Sequence, residues 1–498
     1  MTLLSPTLIE TGDLSITGHS GTRQDRLFHA IREKIVGNLW PMGGKLPSTR
    51  KLADELSLSR NTVTAAYEQL VAEGYIESRL GSGFYVSVEL PEHYLTAQSP
   101  QANSKPPATT QARDPNAPFA PGVPDLAAFP ATKWQSLLQR HAGRQSLMGN
   151  QDLQGLPVLR QALSDYLAAS RSVHCDPDRI IITSGAQQAL SLALLATLNR
   201  GDRILMEQPG YTQMRKIIDW QGYHLQPLPV QAYQGLDVES VLACASEALY
   251  LTPSNQYPMG TTLNTEQRLK LIEWAVQGKR WIIEDDYDSE FQFAHRPYTS
   301  LQGLAGQMGC DDQILYAGSF SKVMFNSLRL GYLVVPPSLV SRCLMIKDAL
   351  TGDTQAHTQA ALADFIQEGD LLRHIRKMRR LYKDKHRLML DAISRFFGDQ
   401  VDVISQPAGL HITLKWQGGI SEHDWAQQAE AAGIVLRPLS YYEHPAHRTR
   451  DWHGAVLGFG NVAPADIEPW VARLAALFHS QPQPSPGALA TLTLSAES

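Results

Sequence analysis

Residues 316–334 read YAGSFSKVMFNSLRLGYLV, and the reading of this stretch decides the fold of most of the chain. Gly318, Ser319 and Ser321 lead into Lys322, Arg329 follows seven positions later, and an apolar, strand-like run closes the segment. A lysine amine that is partly deprotonated forms a Schiff base, which a desolvated or cationic setting favours. Serine hydroxyls and a guanidinium fork clamp a phosphate. Pyridoxal 5'-phosphate (PLP) is the cofactor that asks for both at once. The pattern equally fits a solvated lysine in a Ser/Gly surface loop, so the surrounding chain has to decide.

Upstream, WIIEDDYDSEF (281–291) runs an apolar strand into Glu284, Asp285, Asp286, Tyr287 and Asp288. That presents carboxylates and a phenol at a strand's C-terminal edge, where α/β sheets bind ligands. Burying an aspartate there is costly unless it meets a cation, and a protonated pyridine nitrogen is one. A metal-binding acidic loop or a solvated turn are the competing readings. No histidine or further carboxylate stands at helpful spacing, so no metal is expected. RIIITSGAQQALSLALLATL (179–198) reads as strand, turn and long helix, with Ser184, Gly185, Ala186 and Gln187 offering helix N-terminal N–H groups to a phosphate. Any strand–Gly–helix turn looks alike, however. RILMEQPGYTQM (203–214) ends a strand at a loop carrying Tyr211, placed to stack on an aromatic ring, as few loop tyrosines do. The alternation of strands and helices over 119–479 predicts an α/β domain with a mostly parallel sheet.

The N-terminal part has a different pattern. Leu27, Ile31, Ile35 and Leu39 recur every four positions and predict an amphipathic helix over 23–39. Ser48 is placed to cap a short helix through Leu52 and Leu56. Ser59 is placed to cap a third, with Val63, Ala66, Tyr67 and Leu70 as its buried stripe. Two short helices and a turn make a helix-turn-helix, and YIESRLGSGFYVSV (75–88) reads as a hairpin wing. In that arrangement Arg60, Asn61 and Thr62 would face the major groove of double-stranded DNA. Ser48, Thr49 and Arg50 would meet phosphates, and Arg79 would sit at the wing. Nine Lys and Arg stand against seven Asp and Glu between residues 20 and 86, a modest excess that also suits a protein-interaction module with solvated arginines.

At 498 residues the chain invites two or three domains. A net charge of −5 excludes a chain that is basic throughout. Cys175, Cys244, Cys310 and Cys343 lie far apart without CxxC spacing, which argues against zinc sites or a disulfide framework and fits a reducing compartment. The start, MTLLSPTLIE, lacks signal-peptide character, and the longest apolar run, ALSLALLATL, is about half a membrane span. A cytoplasmic protein is expected, with no membrane association. Residues 89–118 shift to Pro, Ala, Gln, Ser and Thr and read as a mobile linker, and 480–498 as a disordered tail. The predicted organisation is therefore 1–88, a winged helix-turn-helix; 89–118, linker; 119–479, the α/β domain; and 480–498, tail.

The segment LPSTRKLADELSLSRNTVTAAYEQLVAEGYI with its Gly-rich wing resembles the winged-helix domain of GntR-type transcriptional regulators. That resemblance implies DNA contacts at Arg50, Arg60 and Thr62, with Arg79 and Gly81 as further candidates. TSGAQQAL, EQPGY, LTPSNQYPMG, EDDYDSEF and SFSKVMFNSLRLGYLV, in this order, resemble the consecutive motifs of fold type I aminotransferases. Both together are similar to the MocR family of GntR regulators, the GabR- and PdxR-like proteins, over nearly everything from residue 23 to 479. The resemblance implies PLP with Lys322 as the Schiff-base lysine, Asp285 on the pyridine nitrogen and Tyr287 on the ring hydroxyl. It further implies phosphate contacts from Arg329, Ser319, Ser321, Ala186 and Gln187, beside the Gly185 turn, stacking by Tyr211, and a ring contact from Asn255. A homodimer binding paired DNA half-sites and sensing an amine or amino acid is expected, with little or no turnover. The rival expectation is a working aminotransferase with an accessory DNA-binding module.

Four positions depart from the pattern of the relatives. Tyr257 stands where enzymes of the fold have an Asn before Pro-x-Gly, and Asn150 where a Tyr reaches the neighbouring subunit's phosphate site. Val456 occupies the place of the arginine that captures a substrate carboxylate, and Gln213 that of an arginine for the amino-acid ligand of GabR-like regulators. Arg437 is a replacement anchor for the effector or else an exposed or structural arginine.

Overall fold

The computed structural model describes residues 8–9, 11–12, 14–15, 21–88, 114–294 and 298–480. The chain forms two compact units that divide between Arg113 and Asp114. Most of the expected linker (89–113) and nearly all of the expected tail (481–498) lie outside the described residues. Residues 114–118, read from composition as linker, belong instead to the second unit. Asn461 Nδ2 donates to the carbonyls of Asn116 (2.8 Å) and Ala117 (2.9 Å), and the Val435 N–H donates to that of Pro118 (3.0 Å). Backbone groups tied down by remote residues leave no mark in local composition.

In the first unit, α1 (Arg23–Val36) starts at a capping box in which the Thr22 hydroxyl accepts from the Asp25 N–H and the Asp25 carboxylate from the Thr22 N–H. The helix ends at Val36, capped by Gly37, three residues short of the expected end at Leu39. Leu39 is 64% exposed and Trp40 is buried in its place. Next, α2 (Thr49–Leu56) and α3 (Arg60–Ala72) are capped by the Ser48 and Ser59 hydroxyls. Ser57 closes α2 with φ 52°, the left-handed residue that makes the turn between them. β1 (Ile76–Arg79) and β2 (Gly83–Val86) pair antiparallel as the wing, and Gly81, at φ 73°, supplies the turn. Leu27, Ile31, Leu52, Val63, Tyr67 and Leu70 share one core with Ile76 and Val86 of the wing.

The second unit holds an eight-stranded sheet. Its strands are β3 (Ile180–Thr183), β4 (Arg203–Gln208), β5 (His224–Gln231), β6 (Gly235–Leu236), β7 (Ala248–Leu251), β8 (Trp281–Asp286), β9 (Ile314–Ser319) and β10 (Gly331–Val334), in the order β3-β10-β9-β8-β7-β4-β5-β6. The pairs from β9 through β8, β7 and β4 to β5 are parallel; β10 runs antiparallel to both β3 and β9. Strands such as Ile180–Thr183 and Ala248–Leu251 are buried along their whole length because helices cover both faces. The helices Ala186–Thr197 and Pro337–Leu350 pack on one side, and Thr265–Gly278 and Leu301–Gln307 on the other. A four-stranded antiparallel sheet follows, β11 (Asp402–Val403), β12 (His411–Trp416), β13 (Arg437–Pro438) and β14 (His453–Gly458), in the order β11-β12-β14-β13. It packs with the long helix Asp370–Phe397. The architecture is the expected α/β domain with a mostly parallel sheet, together with a winged helix-turn-helix. Because β3, β4, β7, β8 and β9 run the same way, their C-terminal ends bring Gly185, Tyr211, Thr252, Asp285 and Ser319 to one edge.

Candidate cofactor site and candidate DNA interface

That edge holds a cavity of about 290 Å³, lined among others by Ala186, Gln187, Tyr211, Asp285, Tyr287, Ser319, Ser321, Lys322 and Arg329. Nine of the residues singled out in the sequence thus meet in one place. The Lys322 Nζ donates to the Gly122 carbonyl at 2.5 Å. Burial pulls this amine down to about 8, against the opposing pull of Asp288 and Asp285. Asp285 lies at the end of β8, where burial pushes its carboxyl up to about 7. Its Oδ2 accepts from the Tyr250 hydroxyl at 2.7 Å, while its Oδ1 is buried without a hydrogen-bond partner among the described residues. The Tyr287 hydroxyl is likewise buried without a hydrogen-bond partner among the described residues. Orphaned buried polar atoms are costly in a folded protein, and this pair fits a ligand that offers a donor to Asp285 and a hydrogen-bonding oxygen to Tyr287.

Another part of the cavity wall suits an anion. The helix Ala186–Thr197 begins at Gly185 without a side-chain cap, so its first N–H groups remain unengaged by side chains. Gly185 has φ 88°, and a Cβ built there would meet the Arg329 guanidinium carbon at 3.4 Å. Arg329, itself left-handed at φ 51°, donates from Nη2 to the Ser184 carbonyl at 3.1 Å. Gly185 thus shapes the cradle without lining the cavity.

Asn255 does not line the cavity. It is buried, and its Nδ2 donates at 2.9 Å to Asp288, a second carboxyl facing the cavity that burial pushes up to about 8. The cavity lining thus includes Asp288, which Asn255 holds, and not Asn255 itself. Sequence reasoning missed Pro121, Gly122, Tyr250, Thr252, Asn326, Leu410 and His411, which also line the cavity. Asp288, named in the sequence among the strand-end carboxylates, and Tyr257, noted there as standing in place of an Asn, line it as well. Tyr257 is the hub of an aromatic group, with ring centroids 5.4 Å from Tyr287, 5.1 Å from His411 and 5.2 Å from Tyr442. A second cavity of about 190 Å³ shares Pro121, Tyr211 and Tyr257 with the first and adds Gln213, Arg437 and Tyr441. There the Arg437 guanidinium lies 5.4 Å from the Tyr441 ring centroid, and in the sheet Arg437 stands opposite Val456.

In the first unit, Arg50 and Arg60 are exposed on the first turns of α2 and α3 and make no hydrogen bond or ion pair with any described residue. Asn61 is exposed beside Arg60, and Thr49 is half-buried. The Ser48 hydroxyl is occupied in capping, and Thr62 Oγ1 lies 2.8 Å from the capping Ser59 hydroxyl. Arg79 is not free. Its Nε donates to Glu77 at 2.7 Å, and its guanidinium lies 4.3 Å from the Tyr85 ring centroid.

Residues 23–86 match the family model described as bacterial regulatory proteins, gntR family, and residues 119–450 match aminotransferase class I and II. The chain is 33% identical over 469 residues to the probable rhizopine catabolism regulatory protein MocR of Rhizobium meliloti, covering 91% of this chain and 93% of that one. It belongs to the MocR-type GntR regulators. A second such relative, the pyridoxine biosynthesis transcriptional regulator PdxR of Corynebacterium glutamicum, is 32% identical over 88% of this chain and 91% of its own. The aminotransferase-like half of this MocR-type chain shares its fold with solved enzymes. One is the LysN α-aminoadipate aminotransferase of Thermus thermophilus, solved with N-(5'-phosphopyridoxyl)-L-leucine (TM-score 0.67, 24% identity, 73% of this chain and 92% of that one). Another is the kynurenine aminotransferase of Pyrococcus horikoshii, solved with PMP (TM-score 0.65, 24% identity, 73% and 90%).

Proposed function

We propose that this MocR-type protein is a DNA-binding transcriptional regulator whose aminotransferase-like unit binds PLP and senses an amino compound. The observation that carries the cofactor is a pair of buried atoms without hydrogen-bond partners among the described residues, Asp285 Oδ1 and Tyr287 Oη, in one cavity with the Lys322 amine. PLP brings a protonatable ring nitrogen, a ring hydroxyl, an aldehyde and a phosphate, and each has a counterpart here. Asp285 would pair with the nitrogen, Tyr287 with the hydroxyl and Lys322 with the aldehyde. Arg329, Ser319, Ser321 and the N–H groups of Ala186 and Gln187 would hold the phosphate. When bound, the cofactor supplies a carbonyl that reacts reversibly with amines. Arg437 is the candidate anchor for an effector carboxylate: it shares the second cavity with Gln213 and stands cross-strand from Val456, the position without an arginine. Arg50 and Arg60, without partners among the described residues, would contact DNA phosphates and bases. A homodimer on paired half-sites suits such a reader.

The decisive experiment compares wild type with Lys322→Ala. The wild type is expected to carry a visible absorption band from covalently held PLP, and the variant to lose it. An unchanged band in the variant would mean that another lysine holds the cofactor.

A further inference from the structure

The helix Asp370–Phe397 carries nine Lys and Arg against three Asp, in a chain whose net charge is −5. Its inner face is apolar and buried at Leu371, Ile375, Met378, Tyr382, Met389 and Ile393. On the opposite face Arg376, Arg380, Lys383 and Arg387 are exposed and recur at helical spacing, so they form one ridge. At a rise of about 1.5 Å per residue the ridge is about 16 Å long. The other cations of this helix have partners. Arg373 pairs with Asp370 at 2.6 Å, Lys385 with Asp125 at 2.7 Å and Arg395 with Glu468 at 2.5 Å. Lys377 and Arg379 donate to the carbonyls of Ala128 and Glu290 at 3.1 and 2.8 Å. The four ridge cations make no hydrogen bond or ion pair with any described residue, Asp384 and Asp391 on the same helix included. Like charges at these spacings repel, so the ridge detracts from helix stability rather than adding to it.

We propose that this ridge binds the phosphate backbone of duplex DNA, as a contact of the aminotransferase-like unit separate from α3. Charge complementarity selects the partner. Duplex DNA carries about one negative charge per 1.7 Å of axis, so a ridge of this length faces on the order of ten phosphates. Three of the four cations are arginines, whose planar fork takes two phosphate oxygens at once. A helix fixed to the body by its apolar face offers positioning contacts without base readout, so this contact is independent of sequence. The choice of DNA as partner rests on the DNA-binding reading given above.

The test uses full-length, PLP-loaded protein and a fluorescent mixed-sequence duplex of about 60 base pairs, titrated at salt concentrations from about 50 to 300 mM. The quadruple variant R376Q/R380Q/K383Q/R387Q is expected to bind about 10- to 1,000-fold more weakly than wild type near 100 mM salt. Its slope of log K against log salt should be shallower by about 0.9 for each phosphate that the variant no longer neutralises. Arg395→Gln, which alters a paired cation of the same helix, should change neither. Should the quadruple variant lose its visible cofactor band, R380Q/R387Q replaces it and should show about half the slope change. Equal affinity and slope for wild type and variant overturn the proposal. So does loss of binding to anionic lipid vesicles, or of self-association in sedimentation, with DNA affinity intact; the ridge then belongs to that partner. A wild type that binds no duplex at all sinks the DNA-binding reading itself, a result distinct from failure of the ridge alone.

Discussion

Lys322 and Asp285 are both drawn toward neutrality by burial, the amine down to about 8 and the carboxyl up to about 7. For the cofactor-free protein, Asp285 acts with opposite signs on capture and on stability. The free amine of Lys322 becomes available as pH rises through about 8, instead of through the ordinary lysine value of 10.5. The Asp285 carboxylate that would pair with a pyridinium is ionised above about 7. The rate of PLP capture is therefore expected to rise between about pH 6 and 9 in stopped-flow absorbance. Stability moves the other way. Between the ordinary aspartate value of 3.8 and about 7 the folded state keeps a proton on Asp285 that the unfolded state has released, so stability falls as pH rises through that window. In Asp285→Asn the melting temperature of the cofactor-free protein should depend less on pH while PLP affinity drops, with Asp288 leaving part of the slope. A variant that binds PLP as tightly as wild type would remove Asp285 from the site. Lys322, Asp285 and Tyr287 were legible in the sequence because each stands in a short motif at a strand end. His411 and Gly122 were not, since only the packing of remote segments brings them against Lys322.

Among the elements, α3 carries the sharpest expectation. Its cap at Ser59 was readable from a Ser followed by a periodic apolar run, and the cap fixes the first turn on which Arg60 stands. Arg60 has no competing partner among the described residues, so Arg60→Ala should cost on the order of 1 to 3 kcal/mol in DNA affinity and relax specificity at one position if the side chain reads a base. A phosphate contact would instead weaken all sequences alike. Gel-shift titrations at several salt concentrations separate the two, and equal binding by wild type and variant would take the DNA-reader role from this helix. The wing shows where local sequence is insufficient. Arg79 has the character of a wing-tip contact, but Glu77 two residues earlier on β1 and Tyr85 on β2 hold its guanidinium, a cross-strand arrangement visible only once the register is fixed. The end of α1 departs from the pattern for a related reason. Leu39 continues a four-residue period, yet Gly37 has already ended the helix, and a period alone does not say where a helix stops.

For the whole molecule, the fold class was legible because two unlike patterns sit in one chain, period four with Ser caps at the N-terminus and alternating strands and helices after residue 119. What the sequence does not carry is coupling between the two units. Effector capture ordinarily uses a bidentate arginine, and with Val456 and Gln213 at the two expected places, an amino acid held only through Arg437 should be poorly oriented for proton transfer at Lys322. Slow chemistry is no obstacle to a sensor, which needs only that cofactor or effector favour one state of the protein over another. The free energy available for the response is the difference in their affinity for the two states, and by linkage DNA must change effector affinity by the same factor. Footprints of the full-length protein on its own upstream DNA, taken without ligand, with PLP and with PLP plus candidate amino acids, should therefore differ in extent or affinity. Arg437→Ala should abolish the amino-acid response while leaving the PLP response in place. Rapid multiple-turnover transamination with identical footprints in every ligand state would instead identify the large unit as a working aminotransferase that does not signal to the DNA reader.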